Sequence, residues 1–193
     1  IGGHFDYGRQ GTSTTHILEK MLTKMEESYH VFLTPTGFGS VFLSIFSIVR
    51  PGDEILVADP VYNPTRLLTE DFLKDFKIKV IFYDPHELET LKRKITKKTK
   101  LIFVENPGSN TFEFQDLSKI ISIAKKNKII SAIDNTWGTP YFLKPMKLGF
   151  DMSIVSATKY YSGHSDVMGG SLAVNKKVFK KIKDAERITG LRL

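Results

Sequence analysis

Hydrophobic and polar positions change their period along the chain. Residues 14–27 place apolar side chains every three or four positions with charged ones between, which predicts an amphipathic helix. Residues 38–49 are apolar almost all the way round, which predicts a helix buried inside the fold. From residue 53 onward, short runs rich in branched and aromatic residues alternate with helical patterns. The runs at 54–58, 79–82, 101–104, 129–133 and 152–155 predict strands, and residues 65–76, 86–95 and 116–127 predict the helices that connect them. This alternation predicts an α/β protein with three layers, α/β/α, around a mostly parallel central sheet. No repeat, low-complexity tract or Pro-rich linker interrupts it, so the chain reads as one domain. Residues 176–193 begin as a helix but carry no Gly-Pro stop and no closing strand, so this end reads as cut.

Composition narrows the classes. A chain of 193 residues, 41% of them hydrophobic, is long enough to bury a sizeable core. The absence of cysteine removes disulfides and thiolate metal sites, fits a reducing compartment, and makes the cytoplasm the expected location. The most apolar stretch, residues 41–49, stops at Arg50-Pro51-Gly52 and is too short to cross a membrane, so no membrane partner is expected. The chain starts at Ile1 with no charged leader ahead of an apolar segment, so no secretory signal is read. The net charge of +7 raises nucleic acid as a partner. The lysines, however, recur along helices and connectors at 92–100, 125–128 and 176–183 without interleaved aromatics, the mark of solvated faces; no nucleic-acid partner is expected. Histidines at 4, 16, 30, 86 and 164 lack ligand spacing, so no metal is expected.

The unusual residues gather just after predicted strands, where open α/β sheets form their ligand crevice. Lys159, in Ser156-Ala157-Thr158-Lys159-Tyr160, follows an apolar strand and sits among hydroxyl residues. Partial desolvation there would lower its pKa and free the amine to attack an aldehyde; a surface lysine at a strand end is the alternative. Asp134 ends another buried strand and needs a partner, such as a protonated ring nitrogen, unless it caps a turn with Asn135 and Thr136. Thr36-Gly37-Phe38-Gly39-Ser40 opens the buried helix, where free backbone N–H groups favour an anion, although a lone Gly-x-Gly is more often a tight turn. Ser156 and Thr158 could add hydroxyls to the same anion. Tyr62 follows a strand and offers a flat face for stacking, or packs on a helix. In Asp6-Tyr7-Gly8-Arg9 the Arg suits a bidentate phosphate contact.

The series Tyr7-Gly8-Arg9, Thr36-Gly37, Tyr62-Asn63-Pro64-Thr65, Glu105-Asn106-Pro107-Gly108-Ser109, Ile133-Asp134-Asn135-Thr136-Trp137 and Ser156-Ala157-Thr158-Lys159-Tyr160, followed by Gly163-His164-Ser165-Asp166, resembles the Cys/Met-metabolism enzymes that use pyridoxal 5′-phosphate (PLP), of fold type I. Within that family, Pro107-Gly108-Ser109 and Trp137 resemble the bacterial cystathionine β-lyase branch more than the γ-lyases and γ-synthases. The resemblance implies PLP as cofactor, an amino-acid substrate and α,β-elimination of L-cystathionine. γ-Elimination, γ-replacement, racemisation or a non-catalytic domain are the alternatives. It implies that Lys159 holds PLP as a Schiff base and moves the α-proton, and that Asp134 pairs with the ring nitrogen. Tyr62 stacks on the ring, and Gly37, Phe38, Ser156 and Thr158 hold the phosphate. Tyr7 and Arg9 reach in from a neighbouring subunit, which implies a homo-oligomer, a dimer of dimers, with Tyr7 counted among the catalytic residues. His164 and Asp166 take a structural role beside the lysine. Finally, the resemblance implies that residues 1–193 are the large PLP-binding domain without its N-terminal arm or the C-terminal domain that supplies an arginine to the substrate carboxylate.

Overall fold

The computed structural model describes residues 7–193; His4 and Asp6 of the sequence reading lie outside them. The expected α/β fold is present. The strands are β1 (His30–Thr34), β2 (Glu54–Ala58), β3 (Lys79–Tyr83), β4 (Thr99–Glu105), β5 (Ile130–Asp134), β6 (Met152–Val155) and β7 (Gly170–Val174). They form one sheet in the order β1-β7-β6-β5-β4-β2-β3. Every pairing from β6 across to β3 is parallel, whereas β7 is antiparallel to both β6 and β1. Only β7 therefore runs against the rest, and the C-terminal ends of β1, β2, β4, β5 and β6 share one edge of the sheet.

The connecting helices follow the predicted pattern with shifted ends. They are α1 (Ser13–Glu26), α2 (Gly37–Phe46), α3 (Asn63–Leu67), α4 (Leu73–Asp75), α5 (Leu88–Lys94), α6 (Leu117–Lys126), α7 (Thr139–Phe142), α8 (Pro145–Leu148) and α9 (Lys176–Thr189). Thr12 starts α1 with a reciprocal cap, its hydroxyl accepting the Thr15 N–H while the Thr15 hydroxyl accepts the Thr12 N–H. The helix predicted at 38–49 stops at Phe46, because Arg50-Pro51-Gly52 turns the chain into β2. The helix predicted at 65–76 is broken: the five residues Leu68–Phe72 between α3 and α4 widen into π-type turns. Gly190 caps α9 in the left-handed region at φ 70°, which glycine adopts without steric cost, and its N–H reaches the Glu186 carbonyl at 2.9 Å.

Alternation along β1 and β7 divides their side chains between two faces. Val31, Leu33 and Ala173 pack with Leu22 of α1, while Phe32, Leu172 and Val174 join the large core with Leu43 and Ile45 of α2. The central strands β2, β6 and β7 are buried at every position, as expected of a sheet covered on both sides. Helix α2 is itself covered by α9 and α3, which explains its apolar circumference. Among the described residues no helix is long and apolar enough to cross a membrane.

One polar cluster sits under this frame. Glu26, at the end of α1, is 0% exposed, and its carboxyl oxygens, Ser153 Oγ and Tyr161 Oη find no well-formed hydrogen bond among the described residues. Burial pushes the Glu26 carboxyl up to about 7 from 4.5, only partly opposed by the nearby Ser153 and Tyr161 hydroxyls and by Lys144. A carboxyl raised on folding is held protonated by the native state, so its contribution is whole below the unfolded pKa near 4.5 and is lost as pH climbs through the folded value near 7. The loss is about 3 kcal/mol. Replacing Glu26 by Gln should remove this part of the pH dependence in denaturant titrations between pH 4.5 and 7.5. Parallel pH profiles for the two proteins would place the proton elsewhere.

Candidate active site

The shared strand edge opens into a cavity of about 830 Å³. Asp134, Lys159, Tyr62, Gly37, Phe38, Ser156 and Thr158 all line it, from the ends of β2, β5 and β6 and the start of α2. The sequence singled out each of these seven. Lys159 and Asp134, well apart along the chain, open into the same space.

Each is placed by a local device. At the start of α2 the Thr36 hydroxyl accepts the Gly39 N–H at 2.9 Å, while the N–H groups at Gly37 and Phe38 belong to the first turn, which has no intrahelical acceptor to offer them. Gly37 touches the turn after β6: a Cβ built on it would stand 2.6 Å from both Cβ and Oγ of Ser156. Any side chain there would push α2 away from the Lys159 turn. That turn is tied to its neighbour by the Ser156 N–H, which donates to Thr136 Oγ1 at 2.8 Å. It closes on itself through Thr158, whose hydroxyl contacts both Gly169 O and Gly169 N at 3.3 and 3.2 Å. The Thr158 hydroxyl thus already serves the 157–170 loop.

Lys159 is exposed within this chain. The partial desolvation expected from its strand-end position is not supplied here, because β6 ends at Val155 and the three residues Ser156, Ala157 and Thr158 carry the lysine clear of the core. Asp134 is half-buried at the end of β5, and burial raises its carboxyl, opposed by Thr136, whose N–H donates to Oδ1 at 3.0 Å.

The sequence reading missed a second carboxylate. Glu105 ends β4 in direct register with Asp134 and lines the same cavity. Burial first, and then the charge of Asp134, push its carboxyl up to about 8, against the pull of the Tyr62 N–H. The signal was available, since the reasoning that marks a carboxylate at the end of a buried strand applies equally to residues 134 and 105. The sequence also left unassigned an apolar wall built from Val41, Phe112 and Met168. Phe112 meets Trp137 edge to face with ring centroids 6.3 Å apart.

Tyr7 and Arg9 do not line this cavity. Tyr7 is exposed, Arg9 lies over its ring at 5.6 Å, and the Arg9 guanidinium donates to the Arg187 carbonyl at 3.1 Å. Arg9 lines a separate hollow with His16, Glu186 and Arg192. His164 caps its own loop, its Nδ1 lying 2.6 Å from the Ser162 carbonyl. Among the described residues no group of three or more His, Cys, Asp or Glu could hold a metal ion.

A mostly parallel sheet whose strand ends present a lysine, two carboxyl groups raised by burial and a helix N-terminus to one cavity forms a crevice of the kind that binds small molecules in open α/β folds. Comparison with known proteins gives the family. The family model for Cys/Met metabolism PLP-dependent enzymes matches residues 2–193, and the chain belongs to that family. A cystathionine beta-lyase of Bordetella avium is 37% identical over 91% of this chain and 44% of its own length. An L-alanine/L-glutamate racemase of Wolbachia pipientis is 32% identical over 100% of this chain and 47% of its own. Among solved structures, a cystathionine gamma-lyase from Lactobacillus plantarum complexed with L-serine superimposes with a TM-score of 0.91 at 30% identity, covering 99% of this chain and 50% of that one. The chain thus spans about half the length of the relatives it matches.

Proposed function

We propose that the protein is a carbon–sulfur lyase that cleaves L-cystathionine by α,β-elimination, with water, to homocysteine, pyruvate and ammonia. The observation that carries this is the opening of Lys159 and Asp134 into one cavity with Tyr62 and the start of α2. Bound PLP supplies an aldehyde for amines and an electron sink for bond cleavage at the substrate α-carbon. The residues present fit it. The close approach of Gly37 to Ser156 leaves a cradle that a side chain would fill, and the Asp134 carboxyl, raised by burial, faces the cavity where a cationic partner would favour its charged form.

In this reading Lys159 Nζ would hold the cofactor, and its free amine would take the proton from the substrate α-carbon. Asp134 would meet the ring nitrogen and favour its protonated form, and Tyr62 would offer its face to the ring. Gly37 and Phe38 offer N–H groups to the phosphate, with Ser156 and Thr158 beside them. Tyr7 and Arg9, which stand away from the cavity of their own chain, would serve that of a neighbouring subunit in a homo-oligomer.

Two other outcomes have support in the relatives: γ-elimination, from the Lactobacillus structure, and racemisation, from the Wolbachia protein. Products separate them. With the intact protein, PLP and L-cystathionine, pyruvate and homocysteine in equal amounts are expected. 2-Oxobutyrate with cysteine, or D-alanine formed from L-alanine with no elimination, would replace the β-lyase reading.

A further inference from the structure

Glu105 stands outside every role assigned so far, yet it faces the cavity and makes one short, directional contact: its Oε2 accepts the backbone N–H of Tyr62 at 2.6 Å. That N–H has few other places to go. Tyr62 immediately precedes α3, its side chain makes no capping bond, and its carbonyl is already committed to the Arg66 N–H at 3.0 Å. The loop carrying Tyr62 leaves β2 at Asp59, whose N–H donates to the Tyr83 carbonyl at 2.9 Å. It is held again at Pro60, whose carbonyl accepts the Ser109 N–H at 2.7 Å and whose ring lies against Gly108. Beyond Pro60 the Glu105 oxygen fixes the backbone from which the Tyr62 ring projects, and the ring itself is 48% exposed.

We propose that Glu105 is a positioning residue: by taking the Tyr62 N–H it sets where the Tyr62 ring stands in the cavity, and so how firmly the cofactor ring is gripped. This rests on the PLP reading above. The strand register makes the placement exact, because Glu105 and Asp134 are direct partners across β4 and β5, and the residue that fixes the stacking face stands beside the one that meets the ring nitrogen. Burial and the neighbouring Asp134 both favour the neutral carboxyl at Glu105, a form that accepts this hydrogen bond without adding a second negative charge to the floor of the cavity. A glutamine reproduces that neutral acceptor.

The test uses Glu105→Gln, Glu105→Ala, Tyr62→Ala and the double variant Glu105→Ala/Tyr62→Ala in the intact protein, each checked for an unchanged far-ultraviolet spectrum. Amide exchange at Tyr62, read without cofactor, is expected to be slow in the parent and in Glu105→Gln and at least tenfold faster in Glu105→Ala. Titration of the cofactor-free proteins with PLP is expected to give Glu105→Gln within about twofold of the parent and Glu105→Ala weakened about fivefold, the worth of one net hydrogen bond. In the Tyr62→Ala background, loss of Glu105 should change PLP affinity little, because the partner it positions has gone. Equal Tyr62 exchange in all forms, a full Glu105→Ala effect in the absence of the Tyr62 ring, or a glutamine as damaging as alanine would each overturn the inference. A parent that binds no PLP while its exchange pattern follows the prediction would sink the cofactor reading and leave the anchoring of Tyr62 standing.

Discussion

Lys159→Ala in the intact protein is expected to lower elimination by about 10²–10⁴-fold, the contribution of a positioned proton-transfer group, and by more if the covalent hold on the cofactor is also needed. The same change should remove the one lysine labelled when the parent is treated with PLP and borohydride and its peptides are mapped. Stability should scarcely move, since the side chain is exposed and lies beyond the end of β6. The prediction is sharp because lysines are plentiful: 28 positions are Lys or Arg, and several stretches place lysines side by side. A label on another lysine, or a variant that still turns over cystathionine at the parent rate, would remove Lys159 from the chemistry whatever its position in the cavity.

Asp134→Ala is expected to separate function from folding. Its proposed work is electrostatic, and removing one preorganised electrostatic partner typically lowers kcat by about 10²–10³-fold. Its structural work is small: one hydrogen bond from the Thr136 N–H to Oδ1, set against the cost of a carboxyl that burial already disfavours. Denaturation of the variant should therefore give a midpoint close to that of the parent, while activity collapses. Glu105 offers a second reading of the same event. Part of its upward displacement comes from the charge of Asp134, so its carboxyl should titrate at a lower pH in the variant, by carbon-detected NMR of the side chain. If activity and stability fall together, Asp134 is the cap of a turn.

The parallel part of the sheet was legible because β2, β4, β5 and β6 are short apolar runs bounded by polar loops, and because long helical patterns separate them. Strands β1 and β7 were not. His30–Thr34 follows α1 with only three residues between and no turn signal, and Gly170–Val174 is built largely from small residues of weak strand preference. Its reversed direction has no local signature at all. In the site, Asp134 and Lys159 were visible as polar residues that interrupt the ends of apolar runs. Glu105 passed unremarked because it lies inside a motif that was read for its proline, glycine and serine. Phe112 was hidden for another reason: its backbone sits in the left-handed region at φ 60°, a conformation that sequence gives no cause to expect of a phenylalanine. The exposure of Lys159 was missed because the pattern does not show that the turn after β6 swings away from the core before the lysine is reached.

The side chains that line the cavity come from strand ends, from the loops that follow them and from the start of α2, while the frame is locked mainly by core positions inside the strands and helices. Swapping lining residues therefore leaves the scaffold almost untouched, and chemistry can drift while architecture is conserved. That one scaffold serves relatives named as lyases of two kinds and as a racemase is the outcome such a division of labour permits.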